Sequence, residues 1–152
     1  MDNRISTKVK IAKNLMQFFL TRRVFAWRGS SSSHSVAITF DDGPNPQYTP
    51  ECLNILKKLN VKGTFFIIGQ HAEKYPELLQ RIFDEGHSLG IHTYSHPFTF
   101  HQMKFSEIKE ELEKTQNLIF RLTNKRVTLY RPPRGQLSIK LLLSTSILKF
   151  PT

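Results

Sequence analysis

At 152 residues and 17.7 kDa the chain is sized for one domain, and 39% apolar with 22% charged residues excludes disordered and fibrous classes. The longest uninterrupted apolar runs, Val24 to Trp27 and Phe65 to Ile68, are four residues long, far short of the roughly 20 that cross a bilayer. Cys52 is the single cysteine, so neither an internal disulfide nor a cysteine zinc cluster is available, and a metal would have to use His, Asp or Glu.

The net charge of +10 is concentrated at one end: residues 1–33 hold seven Lys or Arg against one Asp, net +6, and the remainder is net +4. No nucleic-acid reader motif accompanies it, so no nucleic-acid partner is expected. Ser6 and Thr7 can cap a helix in which Ile11, Ala12, Leu15, Met16, Phe18 and Phe19 recur at helical spacing among Lys8, Lys10, Lys13, Arg22 and Arg23. Two readings stand for it: a helix packed outside the domain, or a basic helix over residues 8–23 making peripheral contact with an anionic membrane. Gln17 breaks its apolar stretch and no small-residue cleavage site precedes Ser30, so it is a poor export signal. This predicts a cytoplasmic or peripheral membrane location. Gly29 to Ser33 reads as a linker, giving an arm over 1–33 and a domain over 34–152.

From His34 the pattern becomes alternating strands and helices. Ser35 to Phe40 reads as a β-branched strand ended by the turn former Asp41-Asp42-Gly43-Pro44. A helix from Pro50 to Asn60 places Cys52, Leu53, Leu56 and Leu59 on one face, with Cys52 as a buried apolar side chain. Gly63 to Gly69 is a second strand. Pro76 opens a helix striped by Leu78, Leu79, Ile82 and Phe83 and stopped by Gly86. His87 to Thr93 forms a third strand. Ser106 opens a long helix with Ile108, Leu112, Leu118, Ile119 and Leu122 inward and its charge run on a solvated face. Val127 to Tyr130 is the fourth strand. This cadence predicts an α/β fold of parallel βα units.

In such folds, polar residues just after strands gather at one rim; here they are Asp41 and Asp42, His92 and His96, and Arg131. A carboxylate and two neutral imidazoles make three ligands for Zn²⁺ or a similar divalent ion with a position open to water. A second carboxylate can act as general base, and Arg131 can orient it through an ion pair. The reaction this set suits is metal-assisted hydrolysis of an acyl group.

Thr39-Phe40-Asp41-Asp42-Gly43-Pro44, His92-Thr93-Tyr94-Ser95-His96 and Arg131-Pro132-Pro133-Arg134-Gly135 resemble, in order and spacing, the first three motifs of the polysaccharide deacetylases of carbohydrate esterase family 4, the NodB-homology domain. Gly63-Thr64-Phe65-Phe66 and Gly86-His87-Ser88-Leu89-Gly90 are similar to the segments between them. The likeness covers residues 35–136. It implies a distorted (β/α) barrel and a hydrolase acting on a carbon–nitrogen bond other than a peptide bond. Its substrate class would be an acetylated polysaccharide, above all of N-acetylglucosamine type, which suggests an extracytoplasmic role. By the same resemblance Asp41 is the general base, Asp42, His92 and His96 hold the metal, and Arg131 positions Asp41. Zinc is the first choice of metal, with cobalt or another divalent ion as alternatives. The backbone N–H of Arg134 would stabilise the oxyanion and Pro133 would line the sugar groove. Arg134 stands where many members carry an aromatic residue, which alters the groove wall, and Ile91 replaces a frequent Asn.

Beyond Gly135 the family continues with further strands, an Asp- and Trp-containing motif and a Leu-x-His motif that supplies a general acid. Gln136 to Thr152 contains no Asp, Glu, Trp or His, and the single Trp is Trp27. The expectation is a partial barrel, since four strands cannot close one, and it leaves edge strands. The tail is read either as an amphipathic helix with a fraying end or as the product of a shifted or truncated reading frame. Of the remaining histidines, His34, His71 and His87 are expected to be structural or solvated. His101, in the Phe98 to Phe105 loop, is a candidate substitute acid, and the aromatics of that loop are expected to cap helices from the core. Two functions follow: a metal-dependent deacetylase, or a catalytically impaired metal- or carbohydrate-binding remnant of one.

Overall fold

The protein is represented by a computed structural model that describes residues 34–135. The chain divides into two compact units at Val36/Ala37, and the fold below belongs to the second. The expectations for the arm over 1–33 and for the tail from Gln136 lie outside the described residues.

The elements run β1 (Thr39–Gly43), α1 (Tyr48–Lys58), β2 (Thr64–Ile67), α2 (Gly69–Lys74), α3 (Pro76–Asp84), β3 (Ser88–Ile91), α4 (Phe105–Thr123) and β4 (Leu129–Tyr130). The strands form one sheet in the order β1-β2-β3-β4, all parallel, with at least one helix on each crossover. The α/β reading therefore holds, and the described strands form an open sheet with β1 and β4 at its edges.

Phe65, Ile67, Leu89 and Ile91 from the central strands meet Leu53, Leu56, Leu79, Ile82, Ile108, Leu112 and Ile119 from the helices in one core. The sheet fits under them because Gly90 has no side chain: a Cβ there would lie 2.7 Å from the Phe66 ring and 3.1 Å from the Leu129 carbonyl. Gly86 follows α3 with φ +78° and Asn124 follows α4 with φ +53°, both in the left-handed conformation that ends helices.

Several local expectations are corrected. Ladder pairing in β1 begins at Thr39 and runs through Asp41 and Asp42 to Gly43, so the two aspartates lie in an irregular strand end instead of a turn. The helix expected over Pro50 to Asn60 starts two residues earlier and ends at Lys58. Its buried stripe is Thr49, Leu53 and Leu56, and Cys52 and Leu59 stand roughly 60° and 80° round the axis from Thr49. Cys52 is consequently half-buried and Leu59 exposed. The long helix begins at Phe105, where the Lys104 N–H donates to Glu107 Oε2 at 2.6 Å; this side chain satisfies a donor at the helix start in place of Ser106. In the loop before it only Phe100 is a core aromatic, whereas Phe98 is 73% exposed.

Candidate metal centre

The sheet ends in a bulge in β1 and an irregular loop after β3, each bearing polar side chains. Between Phe40↔Phe65 and Gly43↔Ile67, β1 carries one more residue than β2, a bulge that re-aims side chains at a strand end. Asp42 sits in it at φ +65°, a conformation that Asp tolerates better than most residues. Its carbonyl accepts the Nδ1–H of His71 on α2 at 2.8 Å. His92 follows β3, is 3% exposed, and continues the ladder through its N–H to the Ile67 carbonyl at 2.8 Å. Thr93 and His96, in the loop that follows, have φ of +69° and +51°. For the β-branched Thr93 this is an outlier conformation of the kind that collects at functional sites.

Asp42 Oδ1 lies 3.4 Å from His92 Nε2 and 3.5 Å from His96 Nε2. One ligand atom from each of the three residues falls within 4.8 Å of the others. The tautomer of His92 follows from its second nitrogen: Nδ1 stands 2.7 Å from the Arg131 carbonyl, which can only accept, so Nδ1 carries the proton and the neutral ring aims the Nε2 lone pair at Asp42. Burial, the largest influence, pushes His92 below the usual imidazole pKa, outweighing the opposing effects of the Arg131 carbonyl and of Asp41 and Asp42. A lone pair facing a carboxylate oxygen at this range is repulsive unless a cation lies between them. A tetrahedral ion with bonds of about 2.1 Å spaces its donors about 3.4 Å apart, so the donor set fits a divalent ion. The N–H···O=C contact on the far side of the ring is the usual partner of a ligating imidazole. The Asp42 side chain is 63% exposed, against 4% and 23% for the two histidines, so solvent reaches the centre from the aspartate side.

Asp41 points elsewhere. Its Oδ1 accepts from Arg131 Nη1 at 2.7 Å. The same Nη1 lies 3.0 Å from Thr39 Oγ1, and the guanidinium carbon stacks 4.0 Å from the centre of the Phe66 ring. Two adjacent aspartates are thus separated into different environments, one beside imidazoles and one beside a guanidinium. Pro133 is buried. Arg134, at φ +54°, lays its guanidinium 3.8 Å from the centre of the ring of the exposed Phe98.

The other histidines are dispersed. His87 is buried, its Nδ1 accepting the Gly63 N–H at 3.1 Å, and burial together with Lys62 lowers its pKa. His101 is exposed in a single 3-10 turn over Phe100–Gln102 beside Gln102. His71, expected to be structural or solvated, binds the Asp42 carbonyl from α2. A residue that was not expected is Glu111 on α4, whose carboxylate binds the backbone of Tyr94 and Ser95. The signal for Glu111 was an acid three residues after Ile108 and four before Thr115, both buried.

The sequence profile described as polysaccharide deacetylase matches residues 28–150. A peptidoglycan-N-acetylglucosamine deacetylase from Bacillus cereus is 40% identical over 119 residues, covering 78% of this chain and 43% of that protein. The peptidoglycan-N-acetylmuramic acid deacetylase PdaA from Bacillus subtilis is 37% identical over 125 residues, covering 82% and 47%. The chain therefore spans less than half the length of these relatives. The solved structure of the Bc1960 peptidoglycan N-acetylglucosamine deacetylase, in complex with 4-naphthalen-1-yl-N-oxidanyl-benzamide, superposes with a TM-score of 0.75 at 39% identity, covering 78% of this chain and 56% of that one. With a family profile matching over residues 28–150 and these relatives at 37–40% identity, the chain belongs to the polysaccharide deacetylase family.

Proposed function

We propose that this chain carries the metal and base half of a polysaccharide deacetylase acting on an N-acetylglucosamine-type glycan, with Asp42, His92 and His96 holding a divalent ion, zinc first. The observation that carries this reading is the single Asp42 oxygen shared at 3.4 and 3.5 Å between two imidazole nitrogens, while the neighbouring Asp41 is reserved by Arg131. The names of the relatives favour an acetylated envelope glycan as substrate, and therefore work outside the cytoplasm. Among the described residues no helix is long and apolar enough to cross a membrane.

A bound divalent ion supplies Lewis acidity towards an acetyl carbonyl and brings the pKa of water towards about 7. Asp41, paired with Arg131 Nη1, accepts the proton of the attacking water as general base and returns it to the amine nitrogen as the acetyl C–N bond breaks. Arg131 stays charged throughout and keeps that carboxylate facing the rim. The backbone N–H of Arg134 donates to the oxygen that gains charge as the acetyl carbon becomes tetrahedral, a role worth about 10²–10³ in kcat. Arg134 and Phe98 form the exposed side of the sugar-binding wall.

The test is acetate release from N-acetylglucosamine oligomers by the zinc-loaded chain. The expected result is release that Asp41→Asn lowers by about 10²–10⁴ with zinc retained. Zinc-loaded chain that binds the oligomers and releases no acetate would overturn the catalytic reading in favour of a glycan-binding remnant.

A further inference from the structure

We propose that Glu111 is a positioning residue that sets the affinity and geometry of the metal centre by clamping the backbone between its two histidines; this rests on the metal reading above. The loop from His92 to His96 has to place two Nε2 atoms against one carboxylate oxygen while Thr93 and His96 adopt left-handed backbone. Left alone, such a segment relaxes towards ordinary conformations. It is held from two sides. On one, the first N–H groups of α2 take its carbonyls, Gly69 to Thr93 at 3.0 Å and Gln70 to Tyr94 at 2.9 Å. On the other, Glu111 collects three donors from two of the three residues between the histidines: the N–H groups of Tyr94 and Ser95 on Oε2 and the Ser95 hydroxyl on Oε1, each at 2.8 Å.

A carboxylate suits this position because all three partners donate and an ionised Glu only accepts. Glutamine has one accepting oxygen and would set an amide N–H₂ against a donor. The carboxylate reaches the loop from α4, 15 residues beyond His96 in the chain, so the placement of the histidines depends on α4 being docked. Within the loop Thr93 Oγ1 accepts the His96 N–H at 3.2 Å, passing the constraint on to the second ligand.

The experiment measures the zinc dissociation constant of the full chain by chelator competition and its cobalt absorption spectrum. The variants are Glu111→Gln, Ser95→Ala, the two combined, and Glu110→Gln, which removes a charge from an exposed position on the same helix. The expected result is zinc binding about 10- to 100-fold weaker in Glu111→Gln with an altered cobalt spectrum, as for partners that orient ligands elsewhere. Ser95→Ala should lose less, the double variant less than the product of the two losses, and Glu110→Gln should stay within about twofold of the parent. Binding by Glu111→Gln within about twofold of the parent with the parent's spectrum overturns the proposal, as does an equal loss in Glu110→Gln. If Glu111→Gln does not fold, Ser95→Ala decides: weaker zinc binding at unchanged melting temperature supports the clamp, and parental binding overturns it. A parent chain that binds no zinc overturns the metal reading itself, a result distinct from both.

Discussion

The backbone carbonyl of Arg131 accepts the Nδ1–H of His92 at 2.7 Å, while the Arg131 guanidinium holds Asp41, also at 2.7 Å. One residue therefore serves the proposed metal ligand with its main chain and the proposed base with its side chain. The main-chain part is fixed independently by the Arg131 N–H to the Ile91 carbonyl at 3.0 Å. Replacing the side chain should separate the two roles. Arg131→Met is expected to lower acetate release by about 10²-fold with the zinc dissociation constant within about threefold of the parent. Arg131→Lys should recover part of the rate, since an ammonium can pair with Asp41 but lacks the planar guanidinium that stacks on Phe66. Parallel rate and zinc-competition measurements check both.

Gly69 is where α2 meets the ligand loop. A Cβ there would stand 2.3 Å from Tyr94 Cδ2 and 2.7 Å from Thr115 Oγ1, distances that force a displacement. Gly69→Ala is expected to cost about 1–3 kcal/mol in urea unfolding and to weaken zinc binding, because the shifted residue is Tyr94, between the two histidines.

The strand-end residues are legible in the sequence because each follows an apolar strand directly, and parallel topology then brings Asp41 and Asp42, His92 and Arg131 to the same end of the sheet. His96 is legible as the partner of His92 four residues on. Glu111 is not, because Glu107, Glu110, Glu111 and Glu113 read together as one solvated face, and only docking of α4 shows that one of the four turns inward. The dual service of Arg131 is equally hidden, since a carbonyl carries no residue identity. The β1 expectation fails at its end because alternation locates an apolar run but not a bulge: the extra residue before Gly43 places Asp42, with its positive φ, within the strand. Cys52 and Leu59 fail because a helix start displaced by two residues rotates the stripe that appears buried.

His87 gives the metal-free protein a pH-dependent stability. Burial holds its folded-state pKa below the ordinary value of 6.5, so on acidification the unfolded chain takes up a proton that the folded chain resists. Stability contributed by the neutral ring is present above pH 6.5 and declines as pH falls from there towards the lowered folded pKa. His87→Asn can keep an acceptor for the Gly63 N–H without titrating. Its unfolding free energy should fall less steeply than the parent's between about pH 7 and about pH 5.5, measured by urea unfolding after chelation. An unchanged slope would place the titrating group elsewhere.

The Bc1960 relative was solved with an N-hydroxybenzamide, a class of compound that chelates divalent ions through two oxygens. The same compound should raise the melting temperature of the zinc-loaded chain and leave that of the chelated chain unchanged. The pair of thermal scans checks both arms.

Cobalt titration followed by visible absorption most directly tests whether Asp42, His92 and His96 share one cation. The parent chain is expected to saturate at one equivalent with a tetrahedral or five-coordinate spectrum, and Asp42→Ala, His92→Ala and His96→Ala should each bind at least about 10²-fold more weakly. Saturation by Asp42→Ala at the parental affinity, or a parent chain that takes up no cobalt, would contradict a shared ion at these three residues.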